Sequence, residues 1–401
     1  MDLRYSEEYE SFRRQVAAFV SENWPLRGDE AKLQREQQQR LFRERAIAAG
    51  YLARGVPRRF GGSEQPPDVL EAAIIDEELQ RASAPGDVRG GGPAMLVPTL
   101  LEHGTESQCA RFIPPTILGD MQWCQGYSEP GAGSDLASLQ TRADLRGDEW
   151  VVNGQKIWTS GAKEADAMFC LCRTEPDAPK HAGISYILIP MDQPGIEIRP
   201  LKQMTGSADF NEVFLTDVRA PKKNLVGKRG EGWLVARTTL KHERNMIGSA
   251  QGIRSLFDRL VELARERRRN GRPAIENPHF RQRLAELEGY VASQQYSVYR
   301  QTTCAARGES PGSVALMNKL HSTTLTLRIS ELALDLLGED SLLAPSQRET
   351  LMSVPRDAAG WISHGMWALG LHIGGGTANV QRNIIGERAL GLPRDRSAQR
   401  S

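Results

Sequence analysis

The sequence predicts an α+β protein in three consecutive parts, helical, then β, then helical. Three observations predict it. Apolar residues recur with helical spacing up to about residue 120, with an alternating spacing from Trp123 to about Gly227, and with helical spacing again from Glu231 onward. The expected boundaries are 1–121, 122–230 and 231–401. A chain of 401 residues buries enough surface to need no staples.

In the first part, Phe12, Val16, Phe19 and Val20 line one face of a helix over Glu7–Asn23. Leu70, Ala73, Ile74 and Leu79 do the same over Val69–Ala82. Gly50–Pro67, rich in Gly and Pro, reads as a loop, and the three glycines within Arg89–Pro93 as a further break. In the second part, Glu149–Thr159 reads E-W-V-V-N-G-Q-K-I-W-T. Its Asn153-Gly154 dipeptide predicts a hairpin turn, because a type I′ turn needs positive φ at both central residues. Asp166–Arg173, Gly183–Pro190, Gly195–Pro200 and Asn211–Val218 are further strands, as in a small antiparallel barrel or sandwich. In the third part, Trp233–Arg269 reads as one long helix. Phe280–Ala306, Ser313–Leu337 and a shorter stretch from Thr377 to Ala389 follow, with Gly271–Pro278 as the first interruption.

Lys and Arg total 51 against 50 Asp and Glu, a balance that excludes a chain living on nucleic-acid phosphates. Five cysteines make no disulfide framework and suit a reducing compartment. Cys170-x-Cys172 has no second pair to complete a zinc site, and on a strand both fit a buried face. The opening MDLRYSEEYESF lacks the basic-then-apolar order of a secretory signal, and no apolar run approaches a membrane span. The expectation is a cytoplasmic protein with no metal, no nucleic acid and no membrane among its partners.

Four segments carry candidate chemistry. In Tyr127-Ser128-Glu129-Pro130-Gly131-Ala132-Gly133-Ser134-Asp135, glycines and small hydroxyls let backbone N–H groups approach a phosphate or a ring, although a plain strand-to-loop connection has the same composition. It is neither a P-loop nor a Rossmann fingerprint. In Lys156-Ile157-Trp158-Thr159-Ser160-Gly161, a Trp followed by two hydroxyls suits a flat cofactor or, equally, a core aromatic at a strand end. Glu243 falls in the helical stripe Trp233, Ala236, Leu240, Glu243, Ile247, where an inward carboxylate is either paired or raised in pKa into the range of a general base. The neighbouring stripe Val235, Thr239, His242, Met246 competes for the inward face. Finally, His372-Ile373-Gly374-Gly375-Gly376-Thr377-Ala378-Asn379-Val380-Gln381-Arg382 places a glycine run before a Thr cap, and free N–H groups at a helix start suit a phosphate or a polarised carbonyl.

Together, and in this order, the four segments resemble the acyl-CoA dehydrogenase family of flavoenzymes, over nearly the whole chain. The resemblance implies an N-terminal helical domain, a central antiparallel β-barrel-like domain and a C-terminal four-helix bundle, with FAD as cofactor. It implies that Tyr127, Ser128, Gly133 and Ser134 contact FAD, Ser134 also lying near the acyl-CoA. Trp158, Thr159 and Ser160 would flank the isoalloxazine, Arg267 would reach the FAD phosphates of a neighbouring subunit, and Thr377 and Asn379 would bind the diphosphate region. Arg244 and Gly375 are implied on the substrate side. Relatives carry the catalytic Glu either just before the Gly-Thr of the C-terminal loop, here Gly375, or in a Glu-Arg pair on the long helix, here Glu243, so the resemblance makes Glu243 the base. The implied reaction is α,β-dehydrogenation of an acyl-CoA to the trans-2-enoyl-CoA, with electrons passed to an electron-transfer flavoprotein.

The resemblance breaks where relatives show Gln-x-x-Gly-Gly and this chain has Asp335-Leu336-Leu337-Gly338-Glu339, and again at Arg269-Asn270-Gly271. These departures point to an α2β2 heterotetramer with a paralogous subunit beside the usual homotetramer. A flavin oxidase or monooxygenase on the same scaffold, and a non-catalytic partner subunit, are the alternatives.

Overall fold

The computed structural model describes residues 6–246, 250–346 and 354–393. By its own contacts the chain divides into two units, Met1–Leu201 with Phe210–His242, and Lys202–Asp209 with Glu243–Ser401.

The first unit begins with α1 (Glu7–Asn23), α2 (Arg35–Ala48), α3 (Val69–Arg81), α4 (Val97–His103) and α5 (Glu106–Leu118). Val16 and Val20 of α1 pack with Phe42 of α2 and with Ile74, Ile75 and Leu79 of α3, and Phe12 and Phe19 pack against them; of the expected α3 stripe, Leu70 and Ala73 are only partly buried and Ile75 takes a core place instead. Asp68 caps α3 by accepting from the Leu70 and Glu71 N–H groups. The strands β1 (Trp123–Gly126), β2 (Arg142–Arg146), β3 (Glu149–Ser160), β4 (Ala167–Arg173), β5 (Ile184–Pro190), β6 (Ile196–Leu201), β7 (Phe210–Pro221) and β8 (Leu225–Val226) follow. They form one sheet in the order β6-β7-β3-β2-β4-β5-β8, with β1 pairing parallel to β4. The sheet has two ends and is not a closed barrel, and the parallel β1–β4 pair makes it mixed rather than purely antiparallel. β4 and β5 read as mostly apolar runs, broken by the buried Ser185 of β5, because both faces are covered. Phe169 and Leu171 join the core under α4 and α5, while Met168, Cys170 and Cys172 join the core on the opposite face. Cys170 and Cys172 are therefore small buried apolar groups, their sulfurs 3.6 Å apart.

The predicted turn at Asn153-Gly154 is not a turn. β3 runs straight through it and pairs with β7 on both sides, with a register shift between Val152 and Gly154. The β2–β3 hairpin turns instead at Gly147-Asp148. A Cβ on Gly154 would lie 2.7 Å from Thr141 Cα and 2.4 Å from its hydroxyl, so the glycine marks a close approach of two backbones. The dipeptide does form a turn elsewhere, at Asn270-Gly271, where both residues have positive φ.

After α6 (Gly232–Met246), the second unit holds α7 (Ala250–Glu266), the two-residue strands β9 (Arg268–Arg269) and β10 (Arg272–Pro273), then α8 (Pro278–Ala306), α9 (Val314–Leu337), α10 (Ala358–Leu371) and α11 (Ala378–Arg388). The helix expected to run to Arg269 ends at Glu266, because the Asn270-Gly271 turn pairs Arg269 with Arg272. Leu256, Leu260 and Leu263 of α7, Leu284, Leu287 and Val291 of α8, Ile329, Leu332 and Leu336 of α9, and Trp361 of α10 make one core, a four-helix bundle with α11 beside α9. Among the described residues, no helix is long and apolar enough to cross a membrane.

Gly154→Ala is expected to cost about 1–3 kcal/mol, the usual penalty of forcing atoms into a filled space. Urea unfolding of the two forms measures it.

Candidate active site

The loop after β1 is fastened by a buried ion pair. Lys156, on β3 with no exposed surface, donates to Glu129 Oε1 at 2.8 Å and to the Tyr127 carbonyl at 3.2 Å. Glu129 also accepts from the N–H groups of Gln140 at 2.6 Å and Thr141 at 2.9 Å. Burial by itself would raise the Glu129 pKa. The Lys156 charge and these hydrogen bonds outweigh it and hold the carboxyl below its ordinary value. Ile157 N–H donates to the Ser128 carbonyl at 2.9 Å, so the loop is laced to β3 by backbone as well. Tyr127 is buried, its ring edge-on to Phe169 and Tyr186, while Ser128 is half-buried. Gly133 and Ser134 are exposed, and nothing lies within 4 Å of where a Cβ on Gly131 or Gly133 would stand. The open part of the loop thus presents backbone to a ligand, while Glu129 and Lys156 hold the rest from beneath.

β3 changes face just beyond this clamp. Its pairing with β7 shifts register between Lys156 and Thr159, and Trp158 sits at φ +60. Plain alternation from Lys156 would bury Trp158 and expose Thr159. The bulge reverses this, leaving Trp158 59% exposed and Thr159 buried. A left-handed conformation at a bulky aromatic costs about 1–3 kcal/mol and marks a functional constraint. The Trp158 ring makes a T-shaped contact with Phe210, their centroids 6.0 Å apart. Beside it, the buried Thr159 hydroxyl and the Asn211 side-chain oxygen have no hydrogen-bond partner among the described residues. An exposed aromatic ring, an exposed Ser160 and a buried unpaired hydroxyl are what a planar group with a polar edge would need.

On α6 the buried face is centred on Val235, Ala236, Thr238 and Thr239. Both stripes contribute to it, Val235 and Thr239 from one and Ala236 from the other, with Trp233 and Leu240 packed against the same core and both His242 and Glu243 half-buried. Thr239 Oγ1 lies 2.9 Å from Thr99 Oγ1 of α4, and Thr238 Oγ1 lies 2.8 Å from His103 Nε2, so hydroxyls pin the helix. Ile247 and the side chains of Arg244 and Met246 lie outside the described residues.

In the second unit, Thr377 Oγ1 accepts from Val380 N–H and caps α11, as its position in the sequence predicts. Gly375 and Gly376 both have positive φ. The exposed Asn379 accepts from Arg382 at 3.0 Å. Lys319, buried on α9, donates to the Gly376 carbonyl at 2.6 Å. Burial lowers the Lys319 pKa, and the charge of Glu243 opposes that lowering, so base candidate and lysine lie within electrostatic reach. Arg267 pairs with Asp340 at 2.5 Å, and Arg283 pairs with Asp335. Sequence reasoning quoted Glu129 and Lys156 without giving them roles and passed over Lys319. The available signal was a lysine at an inward position of an otherwise apolar strand or helix.

The three domains of one family match the chain in order: acyl-CoA dehydrogenase N-terminal domain over residues 6–120, middle domain over 124–218 and C-terminal domain over 230–390. The chain belongs to the acyl-CoA dehydrogenase family. It is accordingly an oxidoreductase acting on acyl-CoA thioesters, from a family of flavoproteins. It is 39% identical to acyl-CoA dehydrogenase IpdE1 of Mycobacterium tuberculosis, over 97% of this chain and 99% of that one. Among solved structures it resembles the ChsE4-ChsE5 complex of Mycobacterium tuberculosis, with a TM-score of 0.77 and 31% identity over 98% of this chain and 100% of that one. It also resembles the Tcur3481-Tcur3483 steroid ACAD, with a TM-score of 0.75, 31% identity and the same coverage.

Two outcomes are expected at the clamp. Lys156→Met leaves a buried carboxylate without its cation and lowers stability by about 3–5 kcal/mol. Because the fold depresses the Glu129 pKa, its contribution is complete above the unperturbed value of 4.5 and fades as pH falls through the lower folded value. Glu129→Gln therefore flattens the acid side of the stability curve, measured by urea unfolding at a series of pH values.

Proposed function

We propose that the chain is an FAD-dependent acyl-CoA dehydrogenase that converts a bulky, steroid-derived acyl-CoA thioester to its trans-2-enoyl-CoA, with Glu243 as the base and an electron-transfer flavoprotein as acceptor. The observation that carries the cofactor is the strand bulge of Trp158–Ser160, with its exposed ring and its unpaired Thr159 hydroxyl. These residues fit FAD. Within the first unit, Trp158, Thr159 and Ser160 would hold the isoalloxazine and the open backbone of Gly133 and Ser134 the adjoining chain; within the second, the start of α11 at Thr377 and Asn379 suits a phosphate. FAD, when bound, supplies the acceptor for the β-hydride.

The chain itself handles the proton. Glu243 takes the α-proton of the thioester onto its carboxylate, and the half-buried setting of that carboxylate is the setting in which a glutamate acts as a base near neutral pH. Gly375, where some relatives carry the base, leaves room for a large acyl group, and its N–H would acidify the α-proton by bonding the thioester carbonyl. Ser134 and Arg244 are proposed on the CoA side. The substrate class follows the relatives: one structural neighbour is a steroid ACAD.

We also infer an assembly with a paralogous subunit. Arg267 is engaged by Asp340, and Asp335 is engaged by Arg283. In the segment that would receive a neighbouring subunit's FAD, Arg267 and Asp335 are thus already engaged within the chain. The ChsE4-ChsE5 and Tcur3481-Tcur3483 structures each contain two different chains.

Glu243→Gln is expected to retain FAD and to lose flavin bleaching and α-deuterium exchange by about a hundred-fold or more. The panel is butyryl-, octanoyl-, palmitoyl- and isobutyryl-CoA and the CoA ester of a steroid side-chain acid, with the steroid ester bleaching fastest. Unchanged turnover removes Glu243 as the base, and reoxidation by air within seconds turns the reading to an oxidase. Mass photometry of the chain expressed alone tests the assembly: a fully flavinated homotetramer overturns the paralogue.

A further inference from the structure

The second unit contains a buried cation that the reaction as described does not use. Lys319 lies on α9 at 3% exposure. Its own carbonyl accepts from Ser322 Oγ at 3.1 Å and Thr323 Oγ1 at 2.9 Å, and both of those residues are buried. A lysine in such a place costs several kcal/mol in lost hydration unless acceptors and an opposite charge compensate. The structure supplies both. The ammonium donates to the Gly376 carbonyl at 2.6 Å, a short charge-assisted bond, and the Glu243 carboxylate favours its protonated form.

The acceptor matters because of where it sits. Gly376 is the last of three consecutive glycines, with φ +90, and Gly375 before it has φ +62. Three glycines offer the backbone many conformations, so a turn built from them keeps one geometry only if something holds it. The Gly376 carbonyl shares a peptide plane with the N–H of Thr377, the α11 cap, and Ala378 N–H closes back on the His372 carbonyl at 2.8 Å. A donor fixed on the Gly376 oxygen therefore fixes the plane from which α11 starts and limits the rotation of Gly375.

We propose that Lys319 is a positioning residue for the dehydrogenation: its ammonium clamps the Gly374–Thr377 turn through the Gly376 carbonyl and stands as counter-charge to the Glu243 carboxylate, so that one side chain sets both the base and the turn that meets the thioester. This rests on the reading of Glu243 as the base. The clamp places a positive charge on the side of the base and keeps the Gly375 N–H aimed at one point.

The test uses the full chain in the assembly that carries flavin. Lys319→Met removes donor and charge, Lys319→Gln keeps a donor without the charge, and Lys319→Arg keeps both. Glu243→Gln reports on the underlying reading. Lys319→Met is expected to retain FAD and to slow α-deuterium exchange into the best CoA ester of the panel by about ten- to a hundred-fold at saturation, the range for a misplaced catalytic group. Lys319→Arg recovers most of that rate, whereas a loss of fold alone would not be rescued by charge. Backbone amide exchange across residues 374–378, followed by mass spectrometry without substrate, is expected to rise in Lys319→Met and to stay near wild type in Lys319→Gln. If Lys319→Met does not fold, the Gln and Arg variants carry the comparison, with Gln slow and Arg fast. Exchange within two-fold of wild type in the charge-free variants while Glu243→Gln is inert overturns the role of Lys319 and leaves the base in place. Full exchange in Glu243→Gln overturns the base instead. Unchanged amide exchange in Lys319→Met overturns the clamp.

Discussion

A cation buried without water must find its opposite charge, and in the first unit that requirement orders everything around the proposed flavin edge. Lys156 finds Glu129, Glu129 takes up two backbone N–H groups, and the loop from Tyr127 to Ser134 becomes a rigid connection with one open side. Gly154 belongs to the same arrangement, because only a residue without a side chain lets β3 approach Thr141, whose N–H completes the carboxylate's shell. The bulge that turns Trp158 outward begins immediately after the lysine. The strain at Trp158 is thus carried by a strand anchored on its preceding residues.

The second unit repeats the device. A lysine on a regular element, Lys319, reaches from the buried side to the carbonyl of a glycine-bearing loop, with a carboxylate within range. In both units the regular element is the stable part, and a buried lysine on it holds the loop through charge-assisted bonds. Glycine leaves the backbone of these loops open to close approach, and buried lysines restrain the freedom that comes with it.

The order of helical and β parts was legible because periodicity reports which face of an element is buried. β4 and β5 were legible for a related reason, since strands covered on both faces are mostly apolar, Ser185 being buried and hydrogen-bonded to Thr174. The four candidate segments were found, yet their internal logic was not. Asn153-Gly154 carries the composition of a turn, and composition alone does not distinguish φ demanded by a turn from space demanded by a neighbouring strand. That neighbour, Thr141, is twelve residues away from Asn153 in sequence and becomes visible only once the sheet is paired. The same holds for Lys156 and Glu129: their partnership is a tertiary fact. The position of Glu243 on α6 is ambiguous from spacing because two adjacent stripes are both partly apolar, and the structure buries members of both, leaving Glu243 half-buried.

The two Asn-Gly dipeptides carry a further chemical consequence. An asparagine followed by glycine can cyclise through attack of the glycine nitrogen on the side-chain amide, losing ammonia and leaving an acid. At Asn153 the amide is engaged on both sides, donating to Asp217 at 3.1 Å and accepting from its N–H at 2.9 Å, within a paired strand. At Asn270 the dipeptide is an exposed turn. Ageing of the protein would therefore be uneven: the strand is protected, whereas the hairpin slowly gains a negative charge amid Arg267, Arg268, Arg269 and Arg272. A slow covalent change would then alter the electrostatics of the surface on which Arg267 and Asp340 are already paired.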